Sequence, residues 1–369
     1  MEKFAFIIHP LDVRDVARKF PFTRYLPGRW VEKAFQMIPP MKVSHITGVK
    51  TPCGEAEGWF VACPLTARQM LELPEDFVLE RIIQAGRVAE KLGAGIVGLG
   101  AFTSVVGDAG ITVARNLNIA VTTGNSYTVA TAIEGTKEAA RLMGHDLRRA
   151  HIVVLGATGS IGSVCARMLA REATRMTLVA REKSRLEQLA AKILYETGLA
   201  VSITSDVKKA LRTAQVVIAV TSAVDTLIGP EDLLPGAVVC DVSRPRNVSR
   251  QVAEQRDDVL VIEGGVVEVP GEVNFNFNFG FPPGTAYACM SETMILALEK
   301  RYENFSLGRD ITIEQVEEIR ALAKKHGFKL AGLRSFERAI DPREIERIRA
   351  RAESRLNAMG EQQLVGVAP

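Results

Sequence analysis

The chain has 369 residues, of which 47% are hydrophobic and 24% are charged, a composition typical of an ordinary globular protein long enough for two cores. Lysine and arginine exceed the acidic residues by only three, so nothing points to nucleic acid, and an acidic carrier or a phosphorylated cofactor fits better. No apolar run approaches the roughly 20 residues of a membrane span and no signal peptide is evident, so we expect a cytoplasmic protein without a transmembrane segment.

The five cysteines form no CxxC pair and are odd in number, so neither a metal site nor a disulfide framework is expected. In chain order, the hydrophobic pattern predicts a strand over 4–8, a helix over 12–20 and a hairpin or two short strands over 43–63. Helices over 65–71 and 77–92 and strands near 96–104 and 119–123 follow. These elements indicate an N-terminal α/β substrate domain over 1–125, in which His9 is read as structural in preference to a substrate contact.

A turn with small polar side chains precedes a long connecting helix, predicted over 127–143 within a connecting segment 126–147. Asn125, Ser126 and Thr128 stand at the start of this helix, where the helix dipole favours an anion or a developing oxyanion. A plain helix cap explains the same residues equally well.

The most informative stretch covers 151–185 and predicts a strand, a glycine-rich turn, a helix and a second strand. The glycines are spaced G-x-x-G-x-x-G, which directs backbone N–H groups and a helix N-terminus at a pyrophosphate. The predicted cofactor contacts in this turn are Gly156, Thr158, Gly159, Ser160, Ile161 and Gly162. Glycines that only permit tight packing are the alternative reading.

The second strand of this unit ends at Arg181, where NAD-binding domains place an acid on the ribose. Lys183 and Arg185 follow, and such a cationic cluster favours a 2′-phosphate. The sequence therefore predicts NADPH as the cofactor.

Further apolar strands are predicted over 200–204, 216–222, 238–242 and 259–263. Thr221 and Ser222 bring hydroxyl groups to the carboxyl end of a buried strand, where nucleotide ligands bind. We therefore expect a Rossmann-type, doubly wound NADP-binding domain over 148–283.

Residues 274–279 alternate Asn and Phe, which places three phenylalanines on one face of an extended segment. That face lines an apolar substrate channel, or it faces the core from a strand or loop. A helix over 286–303, capped by Thr285, then begins a set of C-terminal helices over 284–333 and carries Cys289 about one turn in. A cysteine near a helix N-terminus can act as a thiolate nucleophile, although a buried inert cysteine is the commoner state.

The remaining residues, 334–369, form a charged amphipathic tail. Asp341, Pro342 and Glu344 are typical of a helix start, and an apolar stripe of Ile345, Ile348, Ala352, Leu356 and Met359 follows. The charges between 337 and 355 nearly cancel, which favours docking on a protein surface over membrane binding.

Several separated blocks together resemble the cyanobacterial long-chain acyl-[acyl-carrier-protein] reductases over roughly residues 1–330. The blocks are 100–104 (GAFTS), 123–126 (TGNS), 156–162 (GATGSIG), 264–268 (GGVVE), Cys289 with the acidic, aliphatic helix after it, and 304–306 (NFS) with Gly308 and Arg309. Members of that family have a histidine where Tyr127 stands and end near the equivalent of Leu333.

The resemblance implies NADPH-dependent reduction of a fatty acyl thioester, carried by acyl carrier protein or coenzyme A, to the aldehyde. It implies that Cys289 is the essential cysteine and forms an acyl-enzyme. Ser126, or N–H groups at a helix start, would stabilise the oxyanion. The alternatives are an alcohol dehydrogenase of the shikimate type, which needs a Lys–Asp pair, and a non-catalytic NADPH sensor. Chain length, carrier, proton donor and assembly into a homo-oligomer stay open.

Overall fold

The computed structural model describes residues 1–223 and 225–365. The chain divides into two compact units, one formed by residues 1–130 with 267–331, the other by 131–266 with the segment from 332 onward. Packing thus groups the predicted C-terminal helices with the N-terminal part of the chain. The predicted domain borders at 125, 147, 283 and 333 stay a prediction about folding units.

The N-terminal part of the first unit contains strands and helices, as predicted, together with two helices, Gly28–Met37 and Ile111–Arg115, that the sequence pattern did not predict. The elements are β1 (Glu2–Ile8), α1 (Val13–Lys19), α2 (Gly28–Met37), β2 (Met41–Thr51), β3 (Gly54–Ala62), α3 (Ala67–Glu72), α4 (Glu75–Lys91), β4 (Ile96–Leu99), α5 (Ile111–Arg115) and β5 (Ala120–Thr122). The next helix, α6 (Asn125–Leu142), begins in this unit and continues into the second, whose residues start at 131. The five strands have the order β2-β3-β1-β4-β5, with β2 and β3 antiparallel and the other pairs parallel. The hairpin over 43–63 is therefore confirmed.

The second unit contains a six-stranded parallel sheet. Its elements are β6 (His151–Leu155), α7 (Ser160–Ala170), β7 (Arg175–Val179), α8 (Lys183–Thr197), β8 (Ser202–Thr204), α9 (Val207–Leu211), β9 (Val216–Ala219), β10 (Val238–Asp241), α10 (Arg250–Gln255) and β11 (Leu260–Glu263). The order β11-β10-β9-β6-β7-β8 has the first strand of the unit central and the later strands built outward on both sides of it. This is the doubly wound order of dinucleotide-binding domains, so the predicted Rossmann-type fold is confirmed.

The chain then returns to the first unit through β12 (Val266–Glu268), β13 (Thr285–Tyr287), α11 (Ala288–Leu298), α12 (Ile313–His326) and β14 (Lys329–Leu330). The predicted helix over 286–303 is shorter than expected, and Thr285 is not its N-cap. Thr285 lies in β13, because this segment joins β12 and β14 in a three-stranded sheet. The N-cap of α11 is Tyr287.

Residues 274–279 form a loop, which is one of the expected forms, but not the continuous extended segment that the alternation predicts. Only Asn274 forms an isolated bridge, with Thr47, and Asn276 has a φ of 48°. The asparagine side chains cause this, because Asn274 Oδ1 accepts from the backbone N–H of Asn276 (2.8 Å) and Asn278 Oδ1 from that of Gly280 (2.9 Å). Such local bonds turn the chain and compete with a strand ladder.

The tail forms a small hairpin, β15 (Arg334–Ser335) and β16 (Arg338–Ala339), and a helix, α13 (Pro342–Val365). Residues 366–369 of the predicted tail lie outside the described residues. The predicted stripe is buried only at Ile345 and Ala352, whereas Leu356 and Met359 are exposed. None of the described helices is long and apolar enough to cross a membrane.

Candidate active site and cofactor site

Cys289 is the second residue of α11 and is half-buried. Its backbone packs directly against the turn before α6, where a Cβ built on Gly124 would lie 2.2 Å from Cys289 Cα. Gly124 also has a φ of +72°, so glycine is required there for two independent reasons. The first-turn N–H groups of α11 have no intrahelical acceptor and can stabilise negative charge on the thiol sulfur.

The other four cysteines differ from Cys289 in accessibility or setting. Burial raises the thiol pKa of Cys63 and of Cys240 to about 12, and burial also raises that of Cys165. Cys53 is exposed, but it lies in the turn between β2 and β3, outside any helix. Cys289 alone among the five combines partial exposure with a position in the first turn of a helix.

One turn after Cys289, α11 carries a completely buried carboxylate, Glu292. Glu292 Oε1 accepts hydrogen bonds from the hydroxyls of Thr122 (2.5 Å) and Ser306 (2.8 Å), and Oε2 accepts one from the backbone N–H of Tyr127 (2.7 Å). The carboxylate therefore occupies the N-terminus of α6, which the sequence marked as an anion site. The anion there is the protein's own side chain.

Burial raises the pKa of Glu292, while the hydrogen bonds from Thr122, Tyr127, Ser306 and Gly124 act in the opposite direction. Burial thus makes the charged form of this carboxyl group unfavourable, while the four hydrogen-bond donors around it stabilise the same charged form. The hydrogen bonds of Glu292 hold α11 against the start of α6. They therefore also hold the first turn of α11, which contains Cys289.

Ser126, the predicted oxyanion donor, is fully buried in this same network. Its hydroxyl oxygen is hydrogen-bonded to that of Ser306 at 2.7 Å, and its backbone N–H donates to the Ser306 hydroxyl at 3.3 Å. Its role towards a substrate stays a prediction. The sequence reasoning missed Glu292 and Ser306, although an acid inside the apolar helix sequence ACMSETMILAL was a signal of a buried charge.

The three phenylalanines of 274–279 meet on one ring although they do not form a strand. Phe275, Phe277 and Phe279 have ring centroids 5.9, 6.0 and 5.7 Å from that of Phe60. The cluster continues from Phe279 through Phe281 to Tyr287, the residue that caps α11, and the last pair of centroids is 4.5 Å apart. Aromatic rings thus extend from the buried Phe60 to the helix end that bears Cys289, and the later rings of this cluster are partly exposed.

In the second unit, the three glycines after β6 have different steric surroundings. A Cβ on Gly156 would lie 2.5 Å from the carbonyl oxygen of Val220, and one on Gly162 would lie 2.3 Å from that of Gly156. Around Gly159, the N-cap of α7, the nearest atom would be 3.3 Å away, and this residue is exposed. Gly156 and Gly162 are thus needed for internal packing, whereas the bare backbone at Gly159 leaves room for a ligand to approach.

The remaining predicted cofactor contacts lie at the carboxyl ends of neighbouring strands. Thr158, Ser160 and Ile161 of the turn are partly exposed, and Arg181 and Ser222 are exposed. Within 1–223 and 225–365, no ion pair engages Arg181. Thr221 is held in place, because its hydroxyl donates to Asn247 Oδ1 at 2.9 Å and its N–H donates to Ser243 Oγ at 3.0 Å. The roles of these residues towards a cofactor stay predictions.

His9, at the end of β1, has both ring nitrogens engaged. Nδ1 lies 3.0 Å from the carbonyl oxygen of Pro10, and Nε2 accepts from the backbone N–H of Phe102 at 3.1 Å. These bonds fit the structural reading of this histidine.

Residues 137–263 match the model of the shikimate/quinate 5-dehydrogenase family. The chain is 30% identical to the aminotransferase PigE of Serratia sp. over 93% of its own length, but spans only 41% of the length of that relative. It is 29% identical to the long-chain acyl-[acyl-carrier-protein] reductase of Synechococcus elongatus, over 86% of this chain and 94% of that one. Among solved structures, the malic enzyme of Entamoeba histolytica is similar with a TM-score of 0.44 and 14% identity, over 95% of this chain and 69% of that chain.

The family match over 137–263, the similarity to the Synechococcus reductase and the sheet order agree on one coarse conclusion. The second unit is a nucleotide-binding domain of the kind found in NAD(P)-dependent oxidoreductases, and the chain is a distant homologue of a long-chain acyl-[acyl-carrier-protein] reductase.

Proposed function

We propose that the protein reduces a long-chain fatty acyl thioester of acyl carrier protein or coenzyme A to the fatty aldehyde, with NADPH and through an acyl-enzyme at Cys289. The observation that carries the proposal is the position of Cys289, a half-buried thiol in the first turn of α11. The distant homology to the Synechococcus reductase supports the choice of substrate.

In the first step the Cys289 thiolate attacks the acyl carbonyl carbon, the carrier thiol leaves, and a new thioester joins the acyl group to Sγ. N–H groups of the first turn of α11 stabilise negative charge at this place, on the thiolate and then on the carbonyl oxygen. The partly exposed rings of Phe277, Phe279, Phe281 and Tyr287 offer an apolar surface for the acyl chain. Glu292 and Ser126 do not contact the acyl group in this proposal; their hydrogen bonds hold the first turn of α11 in place.

NADPH, when bound, supplies the hydride that reduces the Cys289 thioester to the level of the aldehyde. The residues of the second unit fit this cofactor, because the turn at Gly159 leaves its backbone accessible and Arg181 lacks an internal ion partner among the described residues. Arg181 would hold the 2′-phosphate, and the start of α7 would hold the pyrophosphate. Release of the aldehyde returns the sulfur of Cys289 to its starting state.

The test is mass spectrometry of the intact protein and of its peptides after incubation with palmitoyl-coenzyme A without NADPH. We expect one acyl adduct, on Cys289, which disappears as hexadecanal once NADPH is added. Cys289→Ala should form neither adduct nor aldehyde, while its NADPH affinity stays within a few-fold of the parent. Cys53→Ala is the matched control, since it removes the other accessible thiol and should behave like the parent.

An adduct on Cys53, or aldehyde formation by Cys289→Ala at the parent rate, would overturn the covalent route. The match of 137–263 to shikimate/quinate dehydrogenases keeps an alcohol dehydrogenase as the second candidate. That match ends before Cys289, so it concerns the nucleotide-binding half alone. NADP-dependent oxidation of an alcohol by Cys289→Ala at the parent rate would favour this candidate.

A further inference from the structure

Exposed apolar side chains are concentrated in one short part of the first unit. Among the described residues, fifteen large hydrophobic side chains are exposed, and seven of them lie within residues 20–41. They are Phe20, Phe22, Tyr25, Leu26, Trp30, Met37 and Met41. The exposed fractions of Tyr25, Trp30 and Met37 are 89%, 71% and 78%, far above those of ordinary core residues. The ring centroid of Phe20 lies 6.3 Å from that of Phe22 and 6.0 Å from that of Phe35, so these side chains are close in space as well as in the chain. Clustered exposure of this kind marks an interaction surface.

The helix α2 explains part of this exposure. The apolar side chains of α2 lie on two sides of the helix. Val31 is buried and Phe35 is partly buried, whereas Trp30, Ala34 and Met37 are exposed. The exposed three are spaced i, i+4 and i+7, so they form one continuous stripe on the helix surface. The protein therefore buries only one edge of the apolar face of α2.

The same segment is basic. Residues 13–37 contain six lysines and arginines but only two acidic residues, whereas the net charge of the whole chain is +3. Arg14, Arg24, Arg29 and Lys33 are exposed, and no ion pair engages them within the part of the chain that the structure describes. Cations beside exposed Trp and Tyr rings match the two layers of an anionic lipid surface, its headgroups and its interfacial apolar zone.

We propose that residues 20–37 form a docking surface for a lipid bilayer with anionic headgroups. Trp30, Tyr25 and Met37 enter the interfacial layer, and Arg24, Arg29 and Lys33 bind the headgroup phosphates. An acidic protein would satisfy the cations, whereas an anionic membrane offers in addition an interfacial apolar zone for the exposed rings of Tyr25 and Trp30. The inference stands apart from the proposed chemistry at Cys289, so either can fail alone.

Tryptophan emission gives a direct test, because the chain has only two tryptophans and Trp59 is buried. The full chain is mixed with vesicles of phosphatidylcholine alone or with added phosphatidylglycerol, and sedimentation is followed together with emission. We expect sedimentation with the anionic vesicles, a blue shift of the emission, and quenching by brominated acyl chains. Trp30→Phe should abolish the shift, and added salt should weaken the binding.

Charge reversal distinguishes binding through this surface from non-specific adsorption of the protein to vesicles. Arg24→Glu with Arg29→Glu should weaken vesicle binding roughly 25-fold or more, since each cation near an anionic membrane contributes about a factor of five. Tyr195→Ser is the matched control, because Tyr195 lies in α8 of the other unit and is 93% exposed. It should bind like the parent. Far-UV circular dichroism and chemical denaturation, compared with the parent, confirm that each variant is folded.

Three outcomes would overturn the proposal: a folded parent that does not bind anionic vesicles, binding that survives the double charge reversal, and equal binding by vesicles of phosphatidylcholine alone. An emission shift of Trp30 that follows protein concentration without lipid would assign the surface to a second copy of the chain. A shift with acyl carrier protein but not with vesicles would assign it to that carrier.

Discussion

The helices α6 and α7 begin in similar ways, each after a parallel strand and a turn with glycine, yet their first turns receive different anions. At α6 the carboxylate of Glu292 accepts the backbone N–H of Tyr127 and fills the helix end. At α7 the N-cap Gly159 is exposed and makes no side-chain cap. A helix start with small polar residues thus indicates an anion, but it does not say whether that anion belongs to the protein or to a ligand.

The substitution expected to have the largest effect is Glu292→Ala. It removes the acceptor that the hydroxyls of Thr122 and Ser306 and the N–H of Tyr127 share in a buried site, and only the Ser306 hydroxyl has a second acceptor there, Ser126 Oγ. Each buried donor left unpaired costs on the order of 1 kcal/mol or more, so the free energy of unfolding should fall by about 3 kcal/mol. Chemical denaturation measures this loss. A stability equal to that of the parent would mean that α6 does not need an internal anion.

Glu292→Gln keeps the size of the side chain and adds a pH test. Because burial raises the pKa of Glu292, the stability linked to its protonation is present below the ordinary pKa of a glutamate and is lost as pH rises through the raised value. The glutamine side chain does not titrate. The stability of the variant relative to the parent should therefore improve with rising pH over that window, and a pH-independent difference would contradict the raised pKa.

In the glycine turn before α7, two substitutions distinguish an effect on packing from an effect on ligand binding. Gly162→Ala should lower the free energy of unfolding by about 1–3 kcal/mol, because its Cβ would stand 2.3 Å from the carbonyl oxygen of Gly156. The Cβ of Gly159→Ala would stand 3.3 Å from the same oxygen, which a shift of a few tenths of an ångström relieves, so its stability should stay within about 0.5 kcal/mol of the parent. Its NADPH affinity should nevertheless fall roughly tenfold, the equivalent of 1.4 kcal/mol. Unchanged NADPH affinity in Gly159→Ala would argue for glycines that serve packing alone.

Much of the fold was accessible from the sequence, because hydrophobic period and glycine position report on local structure. The six strands of the second unit were each predicted, and the turn at 156–162 was predicted with its glycines. The difference at 274–279 has a local cause, since alternation predicts a strand but cannot weigh the competing bonds that Asn274 and Asn278 make to the backbone.

The candidate active site was accessible only in part. Cys289 near a helix start could be found from spacing, although the helix begins two residues after the predicted start. The acceptor at α6 could not be paired with Glu292, because 165 residues separate Tyr127 from that carboxylate. Only the fold brings such partners together. The pairing also explains why Ser126 and Asn125 looked like a ligand site.

Arg181→Asp tests whether the cofactor that binds at the start of α7 is NADPH. Losing the guanidinium and placing a carboxylate near the 2′-phosphate should weaken NADPH binding roughly tenfold or more, while NADH binding changes little. Arg175→Asp is the matched control, because Arg175 is exposed at the other end of β7. Fluorescence titration with both cofactors measures the effect. Equal losses for NADPH and NADH would remove the argument for the phosphate.

The smallest expected effect concerns the tail, whose helix α13 docks on its own unit through Arg355. The Arg355 guanidinium lies 2.6 Å from the buried carboxylate of Asp258, which Arg256 also binds. Burial alone would raise the pKa of Asp258, but the hydrogen bonds from both arginines outweigh it and lower the pKa. Arg355→Ala should therefore cost about 1 kcal/mol at neutral pH, because Arg256 remains as a partner and Arg355 is partly exposed.

The pH dependence has a definite sign. The lowered pKa means that the stability from Asp258 is present above the ordinary pKa of an aspartate and is lost as pH falls through the lowered value. The difference between parent and Arg355→Ala should consequently shrink in acid. Arg351→Ala is the matched control on the same helix, since Arg351 pairs with the exposed Asp257 and its loss should cost less than about 0.5 kcal/mol. Equal losses for the two variants at neutral pH would show that α13 is held by its apolar residues Ile345 and Ala352 and not by the buried carboxylate.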